Sequence, residues 1–297
     1  MCKGIIVPCI TIFDEDGSID YINMIQHTEH LIQSGVDGIL LWGSLGEFYS
    51  VSMEEKKKLV QKIVQNTAKR TQIIVGISSC SMNDILELGM YCKIAGADAV
   101  MVVSLYYFAA VHDSIEEFFS KIAKNVDMPI FFYNFPDRTG NSLESNMIVC
   151  LVKKYKNFVG LKDTVDMISH TRELILKIKE VRSDFLVYSG FDEYYCSNRL
   201  AGEDGIIGGF GNIVPELMVR MHKAYEENDF MTLKLCSKKV AILMELYVVT
   251  PLFISGVKVA VKLQGLDISC YTNFPAIEVN QKVRERVAAI LQKAKAV

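Results

Sequence analysis

Lys162 has the clearest chemical potential in this sequence, because it ends the short apolar run Phe158–Leu161. An ammonium group at the end of a buried strand is costly to remove from water, so a lysine there needs a reason. One reason is covalent catalysis, since a lysine kept out of water is more readily neutral and a neutral amine attacks a carbonyl carbon to form a Schiff base. The simpler alternative is a lysine that reaches back to solvent or pairs with Asp163.

A second polar segment, Tyr133-Asn-Phe-Pro-Asp-Arg-Thr-Gly140, closes another apolar run. A tyrosine at the end of a strand can move protons to and from a substrate oxygen near a neutral lysine. The alternative for Tyr133 is a core aromatic residue with a satisfied hydroxyl. Arg138 can grip a carboxylate with two parallel hydrogen bonds, or it is a surface loop residue.

Two glycine-rich segments also follow apolar runs. In Leu41-Trp-Gly-Ser-Leu-Gly-Glu47, the glycines beside Ser44 let the backbone approach a ligand, and free N–H groups with a hydroxyl form a small anion site. Many turns share this pattern. The segment Gly205–Gly211 contains no lysine or arginine, which favours tight packing or a substrate wall over a phosphate site.

Several kinds of catalytic site are disfavoured by the sequence. His27 and His30 share a predicted helix face, but no carboxylate pattern completes a metal site there. The sequence contains no H-E-x-x-H motif, no P-loop and no G-x-S-x-G elbow. We therefore expect chemistry that needs no metal and no nucleotide cofactor.

Composition indicates a globular protein with a large core. The chain has 297 residues, of which 50% are hydrophobic, with a mean hydropathy of +0.22. A net charge of -3 gives no sign of a nucleic-acid partner. Eight cysteines without a C-x-x-C pair, and no signal-peptide pattern, predict a reducing cytoplasm. The longest nearly apolar run, Ala99–Val111, is too short to cross a bilayer, so a soluble intracellular protein is expected.

The elements that must position these residues alternate along the chain. Stretches with helical apolar spacing, such as 53–64, 115–126 and 143–155, separate short β-branched runs typical of parallel strands. Ser52 with Glu55, and Ser114 with Glu117, form the pattern of a capping box at a helix start. The predicted strands are 5–11, 38–43, 73–78, 99–104, 129–134, 158–162, 185–190 and 205–210.

Eight such alternations in about 225 residues predict an α/β fold of the (β/α)8 type, a TIM barrel. A doubly wound open sheet is the rival, but no G-x-G-x-x-G follows the first predicted strand. We predict a catalytic barrel over 1–225 and a helical extension over 226–297, with helices near 230–247, 251–264 and 276–295. In such a barrel the carboxyl ends of the strands surround one cavity. That end would bring together Ser44, Tyr133, Lys162, Gly190 and Gly208–Gly211.

Three motifs in this order and spacing resemble the dihydrodipicolinate synthase / N-acetylneuraminate lyase family. They are Gly43-Ser-Leu-Gly-Glu47, Tyr133-Asn-Phe-Pro-Asp-Arg-Thr-Gly140 and Gly160-Leu-Lys-Asp-Thr164, and the likeness covers essentially the whole chain. The resemblance implies a (β/α)8 barrel with a C-terminal helical extension, assembled as a homotetramer, a dimer of dimers. It also implies that pyruvate is bound or released through a lysine Schiff base without metal.

Residue roles follow from the same resemblance. It implies that Lys162 forms the imine, that Tyr133 carries the proton, and that Ser44 with the backbone around Leu45 holds the pyruvate carboxylate. Tyr107, in Leu105-Tyr-Tyr-Phe108, matches a tyrosine that reaches the neighbouring subunit's site in the synthases. Substrate-lining positions are matched by Thr164, Gly190 and Ile207.

The branch of the family rests on a few positions. The synthases carry two threonines where this chain has Ser44 and Leu45. The segment Ser189-Gly-Phe-Asp-Glu193 resembles the corresponding segment of the lyases and the sugar-acid aldolases, in which the acidic side chains bind substrate hydroxyls. The chain is most similar to the 2-keto-3-deoxy-sugar-acid aldolases, which predicts cleavage of such an acid into pyruvate and an aldehyde, with Asp192 and Glu193 as substrate ligands.

Other functions stay open from the sequence. Arg138 favours dihydrodipicolinate synthase, which condenses pyruvate with aspartate semialdehyde. N-acetylneuraminate lyase is disfavoured because its serine in the eighth-strand loop is Gly209 here. A non-catalytic sensor of 2-keto acids is disfavoured, because a sensor has no need of both Lys162 and Tyr133, and the sequence contains both. A phosphate-binding isomerase lacks its basic residue near Gly208.

Overall fold

The computed structural model describes residues 3–297, and within them eight parallel strands close into a barrel in chain order. Adjacent strands such as β4 and β5 run parallel, and so do β5 and β6, whose register shifts between Ile130 and Phe131. Their residues are buried on both faces, which explains the unbroken apolar runs. The predicted (β/α)8 barrel is confirmed. The strands are β1 Gly4–Pro8, β2 Gly38–Leu41, β3 Gln72–Gly76, β4 Ala99–Val103, β5 Ile130–Asn134, β6 Phe158–Asp163, β7 Leu186–Ser189 and β8 Gly205–Ile207.

Helices alternate with these strands and continue beyond them. The described helices are α1 Tyr21–Gln33, α2 Met53–Thr67, α3 Met82–Ala95, α4 His112–Asn125, α5 Pro136–Thr139, α6 Ser145–Lys154, α7 Ile168–Val181, α8 Tyr195–Leu200, α9 Pro215–Glu226, α10 Phe230–Leu243, α11 Phe253–Leu263 and α12 Gln281–Lys295. No helix within residues 3–297 is long and apolar enough to span a membrane.

One of the two predicted capping boxes lies at the start of a helix. Ser52 caps α2 as expected: its hydroxyl accepts a hydrogen bond from the Glu55 N–H at 3.3 Å, and the Glu55 side chain reaches back to it. The second capping-box prediction is wrong, because α4 begins at His112 and Ser114 lies inside its first turn. The predicted helix 230–247 ends earlier, at Leu243, and a 3-10 helix at Met244–Val248 follows it.

Two compact units are distinguished by their internal contacts. The first unit contains Gln72–Ile207 together with Lys3, and the second contains Gly4–Thr71 and Gly208–Val297. Aromatic packing supports the first unit, where Phe132 stacks on Phe158 with ring centroids 4.1 Å apart and Phe119 meets both rings edge-on.

The second unit contains a fully buried ion pair between Glu47 and Lys258. The Lys258 Nζ donates to Glu47 Oε1 at 2.6 Å and to the Tyr271 carbonyl at 2.7 Å, and it lies 4.6 Å from the centre of the Phe13 ring. The other Glu47 oxygen accepts from the Asn273 N–H at 2.8 Å. Burial raises the pKa of Glu47 and lowers the pKa of Lys258, and the opposite charge counters each shift.

Asn212 joins three segments of the second unit. Its amide nitrogen donates to the carbonyls of Pro8 and Gly209, both at 3.0 Å, and its oxygen accepts from the Ile10 N–H at 3.1 Å. The same oxygen lies 3.0 Å from His27 Nε2, so the imidazole must be the donor in that bond. Burial lowers the pKa of His27 to about 4, which keeps the ring neutral. The end of β1, helix α1 and the loop after β8 are thereby fixed together.

Removing the ammonium group of Lys258 should destabilise the protein strongly. We expect Lys258→Met to lower the free energy of unfolding by about 3–5 kcal/mol, because the Glu47 carboxylate stays buried without its partner. Urea unfolding at a constant m value measures the change.

The matched control is Lys262→Met, one turn further along α11. Lys262 is half exposed, pairs with the fully exposed Asp267 at 3.4 Å and donates to the Ile268 carbonyl at 2.9 Å, so its loss should change stability by about 1 kcal/mol or less. Equal stabilities for the two variants would show that the buried pair contributes no more than a surface pair.

Candidate active site

Lys162 and Tyr133 are adjacent side chains of the first unit. Parallel register pairs Tyr133 on β5 with Lys162 on β6, and the Lys162 Nζ lies 4.5 Å from the centre of the Tyr133 ring. Both residues are buried, with 5% and 4% of their surface exposed. The tyrosine ring also stacks with Phe135, at a centroid distance of 5.9 Å. An amine and a phenol are therefore held side by side at the ends of neighbouring strands.

Asp163 does not serve as the counter-ion of Lys162, because its carboxylate has other partners. It accepts from Asn134 Nδ2 at 2.8 Å and from Thr171 Oγ1 at 2.6 Å, and it faces His170 Nδ1 at 3.0 Å. The hydrogen bond to Asp163 raises the pKa of His170. Successive residues of a strand point to opposite faces, so Lys162 is directed away from this carboxylate.

Thr164 and Gly190 are in close contact just beyond β6 and β7. A side-chain carbon at Gly190 would lie 2.0 Å from Thr164 Oγ1, so only glycine fits beside this hydroxyl. Thr164 Oγ1 is buried and has no hydrogen-bond partner among residues 3–297. A buried hydroxyl without a partner has donor capacity left for a ligand or a water molecule.

The two acids after β7 have different surroundings. Asp192 begins the 3-10 turn Asp192–Tyr194 and is 1% exposed, whereas Glu193, the next residue, is exposed. Ile207, the last residue of β8, is fully buried. The sequence pattern did not distinguish Asp192 from Glu193, since burial depends on how the turn packs.

Tyr107 and Arg138 lie at the surface of the first unit. Tyr107 is 85% exposed with a φ of 82°, a left-handed conformation rare for a bulky side chain, and its ring meets Phe108 edge-on at 4.8 Å. Arg138 is exposed in the short helix α5, with its guanidinium 5.8 Å from the centre of the Phe135 ring.

Ser44 and Leu45 lie in a tight turn of the second unit. The turn is closed by hydrogen bonds from the Gly46 N–H to the Gly43 carbonyl at 3.0 Å and from the Glu47 N–H to the Ser44 carbonyl at 3.2 Å. Trp42 and Glu47 have φ values of 57° and 52°, which bends the backbone at both ends of the turn. Ser44 is partly exposed, while Leu45 is buried. Such a turn is suited to present backbone N–H groups to an anion.

Sequence reasoning missed three polar groups that support these positions. Glu47 and Asn212 hold the turns that carry Ser44 and Gly209, and both also bind residues far away in the chain, Lys258 for Glu47 and Pro8 for Asn212. Glu203 is fully buried and accepts a hydrogen bond from Ser189 Oγ at 3.2 Å, and burial raises its pKa well above the usual value. No local pattern identifies such pairs. Among the described residues, no three His, Cys, Asp or Glu side chains are grouped to hold a metal ion.

Comparisons with known proteins agree with this architecture. YjhH of Escherichia coli K12, named a probable 2-dehydro-3-deoxy-D-pentonate aldolase, is 31% identical over 289 residues, covering 97% of this chain and 96% of that protein. YagE of the same organism, provisionally named a 2-dehydro-3-deoxy-D-gluconate aldolase, is 29% identical over 292 residues, covering 98% of this chain and 97% of its own.

Solved structures of related proteins have the same fold as this chain. The crystal structure of YagE in complex with pyruvate superposes with a TM-score of 0.97 at 29% identity, covering 99% of both chains. Dihydrodipicolinate synthase from Thermotoga maritima superposes with a TM-score of 0.94 at 26% identity, covering 100% of both chains. Residues 1–294 match the family described as Dihydrodipicolinate synthetase. The chain belongs to the dihydrodipicolinate synthetase family.

Proposed function

We propose that this protein is a pyruvate-dependent Schiff-base aldolase, a lyase that cleaves a 2-keto-3-deoxy sugar acid into pyruvate and an aldehyde. The observation that carries the proposal is the buried Lys162 amine, held 4.5 Å from the centre of the Tyr133 ring. The names of YjhH and YagE, and the pyruvate bound in the YagE structure, support the same substrate class.

The proposed reaction begins when the neutral Lys162 amine attacks the C2 carbonyl carbon of the acid. Loss of water gives a protonated imine, which withdraws electrons from the C3–C4 bond. Tyr133 gives its proton to the hydroxyl that departs as water, and as a phenolate it then accepts the proton of the C4 hydroxyl. The C3–C4 bond breaks, and its electron pair forms an enamine between C2 and C3 as the aldehyde leaves. Protonation of C3 and addition of water to the imine release pyruvate and restore the lysine.

The remaining residues would hold the substrate. Ser44 and the backbone N–H groups near Leu45 are assigned to the carboxylate, because a tight turn flanked by glycines is a backbone form suited to anions. Thr164, Gly190 and Ile207 are assigned to the wall of the cavity, as loops and strand ends at the carboxyl side of a barrel build its site. In this proposal Asp192 and Glu193 accept hydrogen bonds from the sugar-acid hydroxyls, and the buried Asp192 dominates because water competes less there.

Assembly and location belong to the same proposal. We assign a homotetramer, a dimer of dimers, in which the exposed aromatic pair Tyr107 and Phe108 is covered by a second copy and Tyr107 completes that copy's site. The seven cysteines within the described chain are unpaired, which suits a reducing cytoplasm.

Dihydrodipicolinate synthase, which joins pyruvate to aspartate semialdehyde, is the second candidate. Arg138 favours it, because its exposed guanidinium, which lies over the Phe135 ring, is suited to a substrate carboxylate. Two features favour the aldolase. Leu45 has no hydroxyl where the synthases carry a threonine, and the Asp192-Glu193 pair is present. N-acetylneuraminate lyase is the weakest alternative, since Gly209 supplies no hydroxyl.

Pyruvate should form a reducible imine on Lys162. Incubation with pyruvate and borohydride is expected to add one pyruvate-derived group per chain, located by peptide mass spectrometry on the peptide that contains Lys162. The same treatment of Lys162→Ala should leave that peptide unmodified. An equal adduct in the variant would assign the chemistry to another lysine.

Tyr133→Phe should separate binding from turnover. We expect kcat to fall by about 10²–10⁴-fold, because the proton of the substrate hydroxyl loses its acceptor, while the pyruvate adduct still forms. The retained adduct is the internal control for folding and for Lys162. A kcat close to that of the wild type would reduce Tyr133 to a packing role.

The acids after β7 should separate the two candidate functions. Asp192→Asn is expected to raise the KM for a keto-deoxy sugar acid by about 10–100-fold, the loss of one charged hydrogen bond, and Glu193→Gln by less because it is exposed. Arg138→Ala is the matched comparison and should change that KM little. Wild-type enzyme that ignores a panel of keto-deoxy acids but condenses pyruvate with aspartate semialdehyde would favour the synthase.

A further inference from the structure

Two hydrogen bonds hold the loop after β7 to the loop after β6. The first lies where the loops begin, and in it the Gly190 N–H donates to the Asp163 carbonyl at 2.8 Å. The second lies further along both loops, where the Tyr194 hydroxyl donates to the Asp166 carboxylate. Both hydrogen bonds lie within the first unit. The segment from Gly190 to Tyr194 is therefore held to the neighbouring loop at both of its ends.

This segment contains the two acids that are assigned to the sugar hydroxyls. It includes the 3-10 turn Asp192–Tyr194, in which Asp192 is buried and Glu193 is exposed. On the facing loop, only three residues separate Asp166 from Lys162. The bond between the two loops therefore connects the turn that carries the acids to a short segment that begins at the imine-forming lysine.

The Tyr194 side chain is oriented by its ring as well as by its hydroxyl. The ring packs against Phe191 with centroids 5.6 Å apart, and the Tyr194 N–H donates to the Phe191 carbonyl at 3.1 Å. The hydrogen bond to Asp166 raises the pKa of Tyr194 to about 12, so the phenol remains a donor at neutral pH. A hydrogen bond to a carboxylate is stronger than one between two neutral groups.

We propose that Tyr194 is a positioning residue for the sugar-acid substrate, and that its hydrogen bond to Asp166 holds Asp192 at the distance from Lys162 that a keto-deoxy acid requires. This inference rests on the proposed aldolase function. Small displacements of a binding group weaken a contact that depends on exact placement. Pyruvate has no sugar hydroxyls and makes no use of the acids. The bond should therefore matter for the sugar part of the substrate and not for the pyruvate part.

Tyr194→Phe removes the hydrogen bond and keeps the ring against Phe191. We expect the KM for a keto-deoxy sugar acid to rise by about 3–10-fold, which corresponds to one hydrogen bond, while kcat changes little. The borohydride-trapped pyruvate adduct should form as in the wild type. The melting temperature should also be unchanged, because Tyr194 is partly exposed and Asp166 is exposed.

Substitutions of Asp166 test the same bond from its other side. Asp166→Asn keeps an oxygen acceptor for the phenol, so it should raise the KM less than Asp166→Ala does. In the Tyr194→Phe background neither change should raise the KM further, because the bond is already lost. The matched control is Asp184→Ala, which removes an exposed acid that pairs with Arg182 at 3.2 Å before the start of β7. This control should leave the KM unchanged.

A double variant tests whether Tyr194 acts through Asp192. If Tyr194 only positions this acid, adding Tyr194→Phe to Asp192→Asn should raise the KM by less than about 2-fold, since the contact that depends on the position is already impaired. A further rise as large as that of Tyr194→Phe alone would show that the two residues act independently, and it would contradict the proposal.

Three other results separate this inference from the aldolase proposal. Unchanged KM values for every cleaved acid in Tyr194→Phe and Asp166→Ala would overturn the positioning role and leave the aldolase intact. An equal loss of the pyruvate adduct and of sugar-acid binding would assign the bond to general packing and overturn the inference. A wild-type enzyme that forms the pyruvate adduct but cleaves no keto-deoxy acid would overturn both proposals.

Discussion

The alternation of side chains along β5 and β6 is the constraint on which the proposed chemistry depends. It places Tyr133 and Lys162 on one face of the sheet and Asn134 and Asp163 on the other. Without this separation, the Asp163 carboxylate would face the Lys162 amine and form an ion pair with it. Asp163 instead organises Asn134, His170 and Thr171 behind the strands. One lysine is thereby kept close to a phenol and directed away from the acid next to it in the chain.

Support for the strand-end turns comes from buried polar groups in the second unit. The Glu47–Lys258 pair holds the end of the turn that carries Ser44, and Thr11 Oγ1 donates to the Gly46 carbonyl at 2.7 Å within the same turn. Asn212 holds the loop that begins with Gly209. Buried hydrogen bonds of this kind fix a backbone more firmly than surface contacts, since water does not compete for them. Both turns are therefore held by hydrogen bonds to residues elsewhere in the second unit, Lys258 for the first and Pro8 for the second.

The sequence predicted what depends on local patterns. Apolar runs and helical spacing gave the eight strands in order, and Ser52 marked a true helix start because its partner Glu55 is three residues away. The Ser114 prediction was wrong because here the same pattern lies within the first turn of α4 and not at its start. Family membership was predicted from three motifs, and it is confirmed. Glu47 with Lys258, and Asp166 with Tyr194, could not be predicted, because residues so distant in sequence meet only through the packing of the folded chain.

The contact between Gly190 and Thr164 restricts how this protein can change over evolutionary time. A methyl group at position 190 would overlap the Thr164 hydroxyl, with only 2.0 Å between the atoms. The two positions cannot diverge independently, and a lineage must first shorten or remove Thr164 before any side chain at 190 is tolerated. Mutational paths that enlarge residue 190 first pass through an overpacked protein. The order of substitutions, and not only their identity, therefore limits which descendants of this sequence are accessible.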